Sequence, residues 1–254
     1  MSGLPKVIVE DWSAWALGLV SKEDWSNWDG ISLPIDNGKI TVTTIPSAVK
    51  RRCSELTKMC LETANQTSSG RQVDYAVFCS QHGELDHSSH LLQALTEKET
   101  LSPTKFTQSV HNTSSGLYSI LNKVQNNCTS LAAGKHTFLM GFLEAVSWLK
   151  KHPDHQVLLV MADHYIPELF KDLNIVPNNQ YAVALLLRSA AENEAGIQVD
   201  LSESDDSSNQ SLPLANLPSA INFLRWYLSG MGTTLNQYGN HCTARWCFEL
   251  DHHV

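Results

Sequence analysis

The stretch Asn126-Asn127-Cys128-Thr129-Ser130-Leu131-Ala132-Ala133-Gly134-Lys135-His136 leads into an apolar segment that predicts a helix from His136 to Lys151. Small residues, a glycine and then a helix start are the parts of a turn that presents a nucleophile. A helix N-terminus stabilises an anion and lowers the pKa of a thiol placed there. The residue at the expected nucleophile position is Leu131, which has no ionisable group. The stretch therefore predicts a catalytic scaffold that has lost its chemistry and kept its shape.

The segments around this turn alternate between strand and helix patterns. Ser47 is a favourable N-cap for a helix that runs to about Ala64, where apolar residues recur at helical spacing. Val7–Val9 predicts a short strand. Three runs are apolar throughout, as in central strands that are covered on both faces: Tyr75–Ser80, Gln156–Ala162 and Tyr181–Leu187. This alternation predicts a layered α/β fold.

The composition narrows the possible functions. The 254 residues are enough for one large domain with a sizeable core. The formal net charge of −8 argues against nucleic-acid binding, because phosphate contacts need a basic face. No apolar run approaches the roughly 20 residues that span a bilayer, and the first residues lack the basic-then-apolar pattern of an export signal. Six cysteines in a chain of this length do not form a disulfide framework. We therefore expect a cytoplasmic protein without membrane contact.

Two groups of residues could hold a metal ion, although neither has a known zinc spacing. The stretch from His82 to His90 contains three histidines and two further acidic residues. The chain end carries a second cluster: His241, Cys242, Cys247, His252 and His253. In the first group the acidic residues are equally explained by a helix start, where they interact with the helix dipole. The cysteines of the second group are not closely paired, as zinc sites usually require.

Other reactive residues also have simpler interpretations. Cys79 and His82 could form a thiol and base, but a buried strand cysteine fits the pattern better. Asp163-His164 at a strand end could be an acid/base pair, or could equally cap a turn. Gly134-Lys135-His136-Thr137 resembles the end of a phosphate loop, but Thr129 stands where the first glycine is needed. The sequence contains no G-x-S-x-G nucleophile elbow.

Two surface hypotheses remain open at this point. Four tryptophans close together predict a packed N-terminal cap, a buried interface or core aromatics that pin a loop: Trp12, Trp15, Trp25 and Trp28. The basic residues from Lys50 to Arg52 could meet an acidic partner or form a solvated helix face.

Several segments together resemble the β-ketoacyl synthases, which extend acyl chains on a carrier protein. The resemblance is greatest to the short, divergent synthase-like proteins that act as chain-length factors in aryl polyene and related type II polyketide pathways. It covers roughly Pro5 to Ser189, the N-terminal half of a synthase. The residues that carry it are Trp12–Leu19, Phe78–Leu85, Leu101–Phe106 and Ser109–Ile120. The last segment is similar to the synthase pattern Asn-x-x-Ala-Gly-x-x-Ser-Ile, with matches at Asn112, Gly116, Ser119 and Ile120.

The next segment decides what the resemblance implies about catalysis. Active synthases carry Thr-Ala-Cys-Ala-Thr-Gly-x-His, in which the cysteine takes the acyl chain. Here the same frame reads Thr129 to His136, and Leu131 replaces the cysteine. Cys128 lies three positions too early to substitute for it. The later His-Gly-Thr and Lys-x-x-x-Gly-His motifs of active synthases do not occur. The resemblance therefore implies that no residue of this chain is catalytic.

The resemblance implies a non-catalytic subunit that forms a heterodimer with an active ketosynthase and shapes its acyl tunnel. Acyl carrier protein would bind mainly through that partner, and no cofactor or metal is expected. The fold class is then α/β, a thiolase-like layered fold. Residues 1–190 form the synthase-like half, 191–217 an acidic polar loop, and 218–254 a helix and strand that complete the domain. Because a full synthase packs two halves together, this half would expose an apolar face. The expected interface and tunnel residues are Phe106, Asn112, Gly116, Tyr118, Leu131, Gly134, His136, Phe138 and Met140.

Two alternative functions stay open. A thioesterase or acyltransferase on the same scaffold could use Cys79 or Asp163-His164. A regulatory module could bind a metal through the cluster from His82 to His90.

Overall fold

The computed structural model describes residues 4–34, 39–125, 127–173, 178–202, 217–230, 234–238 and 243–249. Within these ranges one mixed sheet is covered by helices on both faces. Its strands are β1 Val7–Ala16, β2 Tyr75–Cys79, β3 Asn127–Leu131, β4 Gln156–Asp163, β5 Tyr181–Ser189, β6 Gly196–Ser202, β7 Leu235–Tyr238 and β8 Thr243–Glu249. The α-helices are α1 Lys22–Asn27, α2 Ser47–Lys50, α3 Glu55–Ser68, α4 Leu85–Thr96, α5 Pro103–Thr107, α6 Thr113–Leu121, α7 Thr137–Lys151 and α8 Ser219–Leu228. A 3-10 helix spans Glu168–Leu173.

The strand order is β3-β2-β4-β5-β1-β6-β8-β7. Strand β2 pairs in parallel with both β3 and β4, whereas β5 runs antiparallel to both β4 and β1. The apolar strands β4 and β5 are buried almost throughout, which confirms them as central strands covered on both faces. Strand β3, which precedes the nucleophile-like turn, lies at one edge of the sheet.

Two layers of core lie on opposite faces of the sheet. On one face, α7 buries Phe138, Phe142 and other apolar side chains of its wide apolar arc. On the other face, α3 and α6 bury Met59, Leu61 and Tyr118. The layered α/β architecture predicted from the sequence is thereby confirmed.

Helix α8 of the tail packs beside α7 on the same face of the sheet. In α8, the ring centroid of Phe223 lies 5.3 Å from that of Phe138 and 5.5 Å from that of Phe142. Phe223 and Trp226 are fully buried. The prediction of a bare apolar face on this half was wrong at α7, because the apolar face of α8 packs there.

Three expectations about local structure need correction. Residues 196–202 lie inside the expected loop 191–217 but form strand β6, because Ile197 and Val199 alternate with polar residues and are buried. The helix expected over 47–64 is two helices. The Ser54 hydroxyl accepts a hydrogen bond from the Thr57 amide, so Ser54 is the N-cap of a separate helix, α3. The acidic segment 203–210 lies outside the described residues.

The N-terminal tryptophans belong to the core. The strand predicted over Val7–Val9 continues to Ala16 and includes Trp12 and Trp15. Trp25 is 2% exposed and donates its indole N–H to the Ala14 carbonyl at 3.0 Å. The interpretation as core aromatics is therefore confirmed. Among the described residues, no helix combines the length and apolar character needed to cross a membrane.

Candidate functional site

Leu131 is the last residue of the edge strand β3. It lies opposite Cys79 of β2, and its carbonyl accepts a hydrogen bond from the Ser80 amide at 3.2 Å. Its side chain is half-buried and packs against the core cluster on the α7 face. The helix starts only at Thr137, so Leu131 and the first turn of α7 are separated by residues 132–136. The side chain at this position can fill space but cannot transfer a proton or form a thioester.

A threonine hydroxyl organises the turn between β3 and α7. The Thr137 hydroxyl donates to the Gly134 carbonyl at 2.6 Å and accepts from the Ala133 amide at 2.9 Å. Gly134 has φ +55°, in the left-handed region that favours glycine. His136 sits at the N-cap position, where burial and then the nearby Lys135 charge lower its pKa. The Thr137 hydroxyl therefore holds the turn through two backbone groups.

Cys128 does not replace the missing thiol. It lies three residues before Leu131 on the same strand, and alternate strand residues point to opposite faces of the sheet. Its side chain packs against the core cluster on the α3 and α6 face. Burial raises the pKa of its thiol, which disfavours the reactive thiolate. The sequence argument against Cys128 is confirmed by this placement.

Asp163 organises the turn that follows β2. One carboxylate oxygen accepts hydrogen bonds from the Ser80 hydroxyl at 2.8 Å, the Gln81 amide at 2.8 Å and the His82 amide at 3.2 Å. The other accepts from the Tyr181 hydroxyl at 3.3 Å. Burial raises the pKa of this carboxyl group, against the lowering effect of its donors. Asp163 therefore holds a turn together, which supports the turn role over the acid/base role.

A small polar cavity lies beside this turn. Its volume is about 80 Å³, whereas pockets for small organic ligands usually measure about 300–1,000 Å³. It is too small for an acyl chain. Residues from the turns after β2, β3 and β4 and from the start of α8 line it: Gln81, His82, Gly134, Lys135, Thr137, Phe138, Met161, Asp163, His164, Ile166, Asn178, Asn179, Tyr181, Leu217, Pro218 and Ser219.

Neither alternative function gains support from the geometry. Cys79 is 2% exposed, and burial raises the pKa of its thiol far above the usual range, so a thiolate is strongly disfavoured. The cluster from His82 to His90 extends along the first turns of α4. In the part of the chain that the structure describes, no group of three or more His, Cys, Asp and Glu side chains could hold a metal ion. The second cluster, except Cys247, lies outside the described residues.

Helix α6 and strand β3 together form a surface at the sheet edge, which we call the β3–α6 surface. The Ser115 and Ser130 hydroxyls lie 2.8 Å apart and connect the two elements. Asn112, at the N-cap of α6, is exposed, and Ile120 is 72% exposed. A Cβ built on Gly116 meets no heavy atom within 4 Å. Polar and apolar groups of this surface are therefore available to a partner.

The structure does not bring all the expected interface and tunnel residues to this surface. Tyr118 is 1% exposed, and its ring packs 5.3 Å from that of Phe78 in the core. Phe138 is also 1% exposed and lies against α8. Met140 is half-buried against the core. Phe106 on α5 is 62% exposed. Of the two roles that the sequence left open for Asp163, its contacts with Ser80, Gln81 and His82 support the turn role.

Comparisons with known proteins agree with this architecture. The chain matches the family model of the β-ketoacyl synthase N-terminal domain over residues 25–247. It is similar to a chain of the ketosynthase (ApeO) in complex with its chain length factor (ApeC) from Xenorhabdus doucetiae, with 30% identity and a TM-score of 0.80, covering 95% of this chain and 99% of that chain. Curated protein sequences gave no match.

Two more distant structures show the fold alone. The ishigamide ketosynthase/chain length factor has a TM-score of 0.66 at 11% identity, with 96% of this chain and 99% of that chain covered. A type II polyketide synthase acyl-carrier protein in complex with its ketosynthase bound to the hexaketide (AntDE:AntF) has a TM-score of 0.65 at 9% identity, with 97% and 99% covered. The thiolase-like class expected from the sequence is thereby confirmed.

Proposed function

The chain belongs to the β-ketoacyl synthase N-terminal domain family, and from this premise we propose that it is a non-catalytic chain-length-factor subunit. It pairs with an active β-ketoacyl synthase and limits the length of the acyl chain that the partner builds in polyene or polyketide elongation. The observation that carries the proposal is Leu131 at the end of β3. A leucine there replaces the acylated cysteine, and covalent catalysis needs an activated nucleophile.

The β3–α6 surface supports pairing with a synthase. Among the described strands, β3 pairs only with β2, so its other edge presents backbone N–H and C=O groups. Open strand edges bind other chains readily. On α6, which contacts β3, Ile120 is 72% exposed. An unpaired edge and large exposed apolar side chains are features of an association surface.

The acyl chain would lie in the partner and end near this surface. The 80 Å³ cavity beside the turn after β2 is too small for it. Side chains that project from the β3–α6 surface can instead close the end of the partner's tunnel. Overfilling a packed cavity costs about 1–3 kcal/mol, which is a bias of about 5- to 150-fold against each further extension. Asn112, which is exposed at the N-cap of α6, and a side chain introduced at the open position of Gly116 are best placed for this role.

The carrier protein would bind mainly to the synthase. A chain with a net charge of −8 is a poor site for another acidic protein. In the basic stretch from Lys50 to Arg52, the Lys50 ammonium group donates a hydrogen bond to the Val42 carbonyl at 2.7 Å and keeps its charge. Arg51 and Arg52 remain exposed. A heterodimer in the cytoplasm, without a cofactor of its own, is the assembly that we propose.

Co-expression with a synthase and its carrier protein tests the proposal. Gly116→Leu adds a side chain where the free chain has open space, so the complex should form and release shorter products. Lys151→Leu, which introduces a leucine at the exposed last residue of α7, should leave product length unchanged. The proposal is wrong if the purified chain binds no synthase, or if it forms carbon–carbon bonds alone.

A further inference from the structure

A second cavity lies outside the proposed synthase-binding surface. Its volume is about 230 Å³. It forms where the N-termini of α3 and α4 meet the loops that follow β2 and β4. Its lining residues are Cys53, Ser54, Glu55, Leu56, His82, Gly83, Glu84, Leu85, Asp86, His87, His164 and Tyr165. We call it the Glu84 cavity, because the Glu84 side chain is 3% exposed there.

Several residues that line the Glu84 cavity carry side-chain atoms without hydrogen-bond partners. Among the described residues, four buried side-chain atoms have none, and three of them belong to residues of this cavity: Glu55 Oε2, His87 Nδ1 and His164 Nδ1. Buried polar atoms in native proteins nearly always have a partner. Three such atoms in the lining residues of one cavity therefore leave hydrogen-bonding capacity for a polar ligand.

The charges around the cavity favour a cation. Three carboxylates line it, from Glu55, Glu84 and Asp86. The Lys58 ammonium group is paired with Glu55 at 2.6 Å, and the N-termini of α3 and α4 add about half a positive charge each. These positive charges balance about two of the three carboxylates, so a net negative charge remains at the cavity. One Glu84 oxygen is engaged by the Ser54 hydroxyl at 2.8 Å and the Thr57 hydroxyl at 2.6 Å.

The hydrogen-bonding capacity of the lining side chains indicates the chemical class of the ligand. A carboxylate oxygen accepts only, and an imidazole Nδ1 accepts when the proton is on Nε2. His87 Nδ1 lies 4.0 Å from a Glu84 oxygen, too far for a direct bond. A primary ammonium group offers three N–H donors in a compact cation. The geometry points to the Glu84 cavity as a binding site for a small primary ammonium compound.

The size of the cavity limits that compound. A cavity of 230 Å³ has the volume of several water molecules and falls below the range of drug-sized pockets. The ligand is therefore a small amine with few heavy atoms. A metal ion is a poorer occupant, because the described His, Cys, Asp and Glu side chains nowhere form a group that could hold one.

Titration of the full chain with ethylammonium chloride, followed by amide chemical shifts, tests this inference. We expect saturable shifts at Ser54–Leu56 and Glu84–His87, with a Kd of roughly 1–50 mM for so small a probe. Tetramethylammonium chloride, a cation without N–H donors, should not produce them at equal ionic strength. Glu55→Gln removes one acceptor charge and should weaken binding at least about fivefold. Glu97→Gln, on an exposed residue after α4, should leave binding unchanged.

Two results would overturn the inference. Equal shifts with both salts would show a general ionic effect, and an ethylammonium response that stays linear to about 100 mM would show that the cavity holds ordered water only. His164→Phe provides a second test if Glu55→Gln weakens the fold, because it removes another acceptor without a change of carboxylate charge. Equal affinity of ethylammonium for His164→Phe and for the unmodified chain would also contradict the assignment.

Discussion

Gly141 of α7 faces Cys79 of β2 so closely that a Cβ built on Gly141 would lie 2.3 Å from the Cys79 sulfur. The missing side chain lets the helix approach the sheet directly behind the end of β2. We predict that Gly141→Ala lowers the free energy of unfolding by about 1–3 kcal/mol through overpacking, despite the better helix propensity of alanine. Urea unfolding measures the change.

A double mutant identifies the cause. Cys79→Ala removes the sulfur that meets the new methyl group, so the loss in Gly141→Ala/Cys79→Ala should be smaller than the sum of the two single losses. Additive losses would show that the contact with Cys79 is not what excludes a side chain at position 141.

Two glycines near the β3–α6 surface should respond to alanine in opposite directions. Gly116 lies within α6 and its Cβ would meet nothing within 4 Å, so Gly116→Ala should raise the free energy of unfolding by about 1 kcal/mol. Gly134 has φ +55°, so Gly134→Ala should lower the free energy of unfolding by about 1–2 kcal/mol. Chemical denaturation of both variants provides the comparison. Equal changes would contradict the assigned backbone conformations.

Glu62 stabilises the chain in a pH-dependent way. Burial acts to raise its pKa, but hydrogen bonds from Thr43 and Thr44 outweigh it, so the folded-state pKa is lowered. A lowered carboxyl pKa contributes stability above the unfolded value of about 4.3, and this contribution is lost as the pH falls through the folded value. Glu62→Gln should cost about 1.5–3 kcal/mol at pH 7, and less at pH 4 and below. Glu97→Gln, which is exposed, is the control.

Leu131→Cys should not restore condensation. The new thiol would stand at the end of β3 without the two histidines of active synthases, so no group is present to assist decarboxylation. Product formation from acyl and malonyl carrier protein, measured on the chain without a synthase, should stay at background. Turnover by this variant alone would refute our interpretation of the site.

Alanine substitutions at two phenylalanines should differ in their effect on stability, because one ring is buried and the other is exposed. Phe223 of α8 is fully buried between α8 and α7, so Phe223→Ala should cost about 3–5 kcal/mol in unfolding free energy. Phe106 of α5 is 62% exposed, and Phe106→Ala should change stability by less than about 0.5 kcal/mol. Thermal or urea unfolding checks both. A large loss of stability in Phe106→Ala would show that this ring is not a free surface group.

Much of the fold could be predicted because several segments have unambiguous local patterns. The apolar runs of β4 and β5 require cover on both faces, and the wide apolar arc of α7 requires a buried helix. The break between α2 and α3 was missed because Ser54 caps a helix inside a pattern that is helical throughout. The role of Phe138 was also misjudged. Its apolar character is the same in a tunnel wall and in a core, and only the contact with Phe223 assigns it to the core.

Local chemistry thus sufficed to predict the α/β class and the family resemblance, and to identify the leucine at position 131, because each depends on residue type and spacing. Long-range packing assigned the remaining features. Residues far apart in the chain, such as Ser80 and Asp163 or Phe138 and Phe223, meet only when the sheet order brings their elements together. The same packing brings Glu55, Glu84 and His164 around one cavity, since it is the sheet and helix arrangement that places the ends of α3, α4 and β4 side by side.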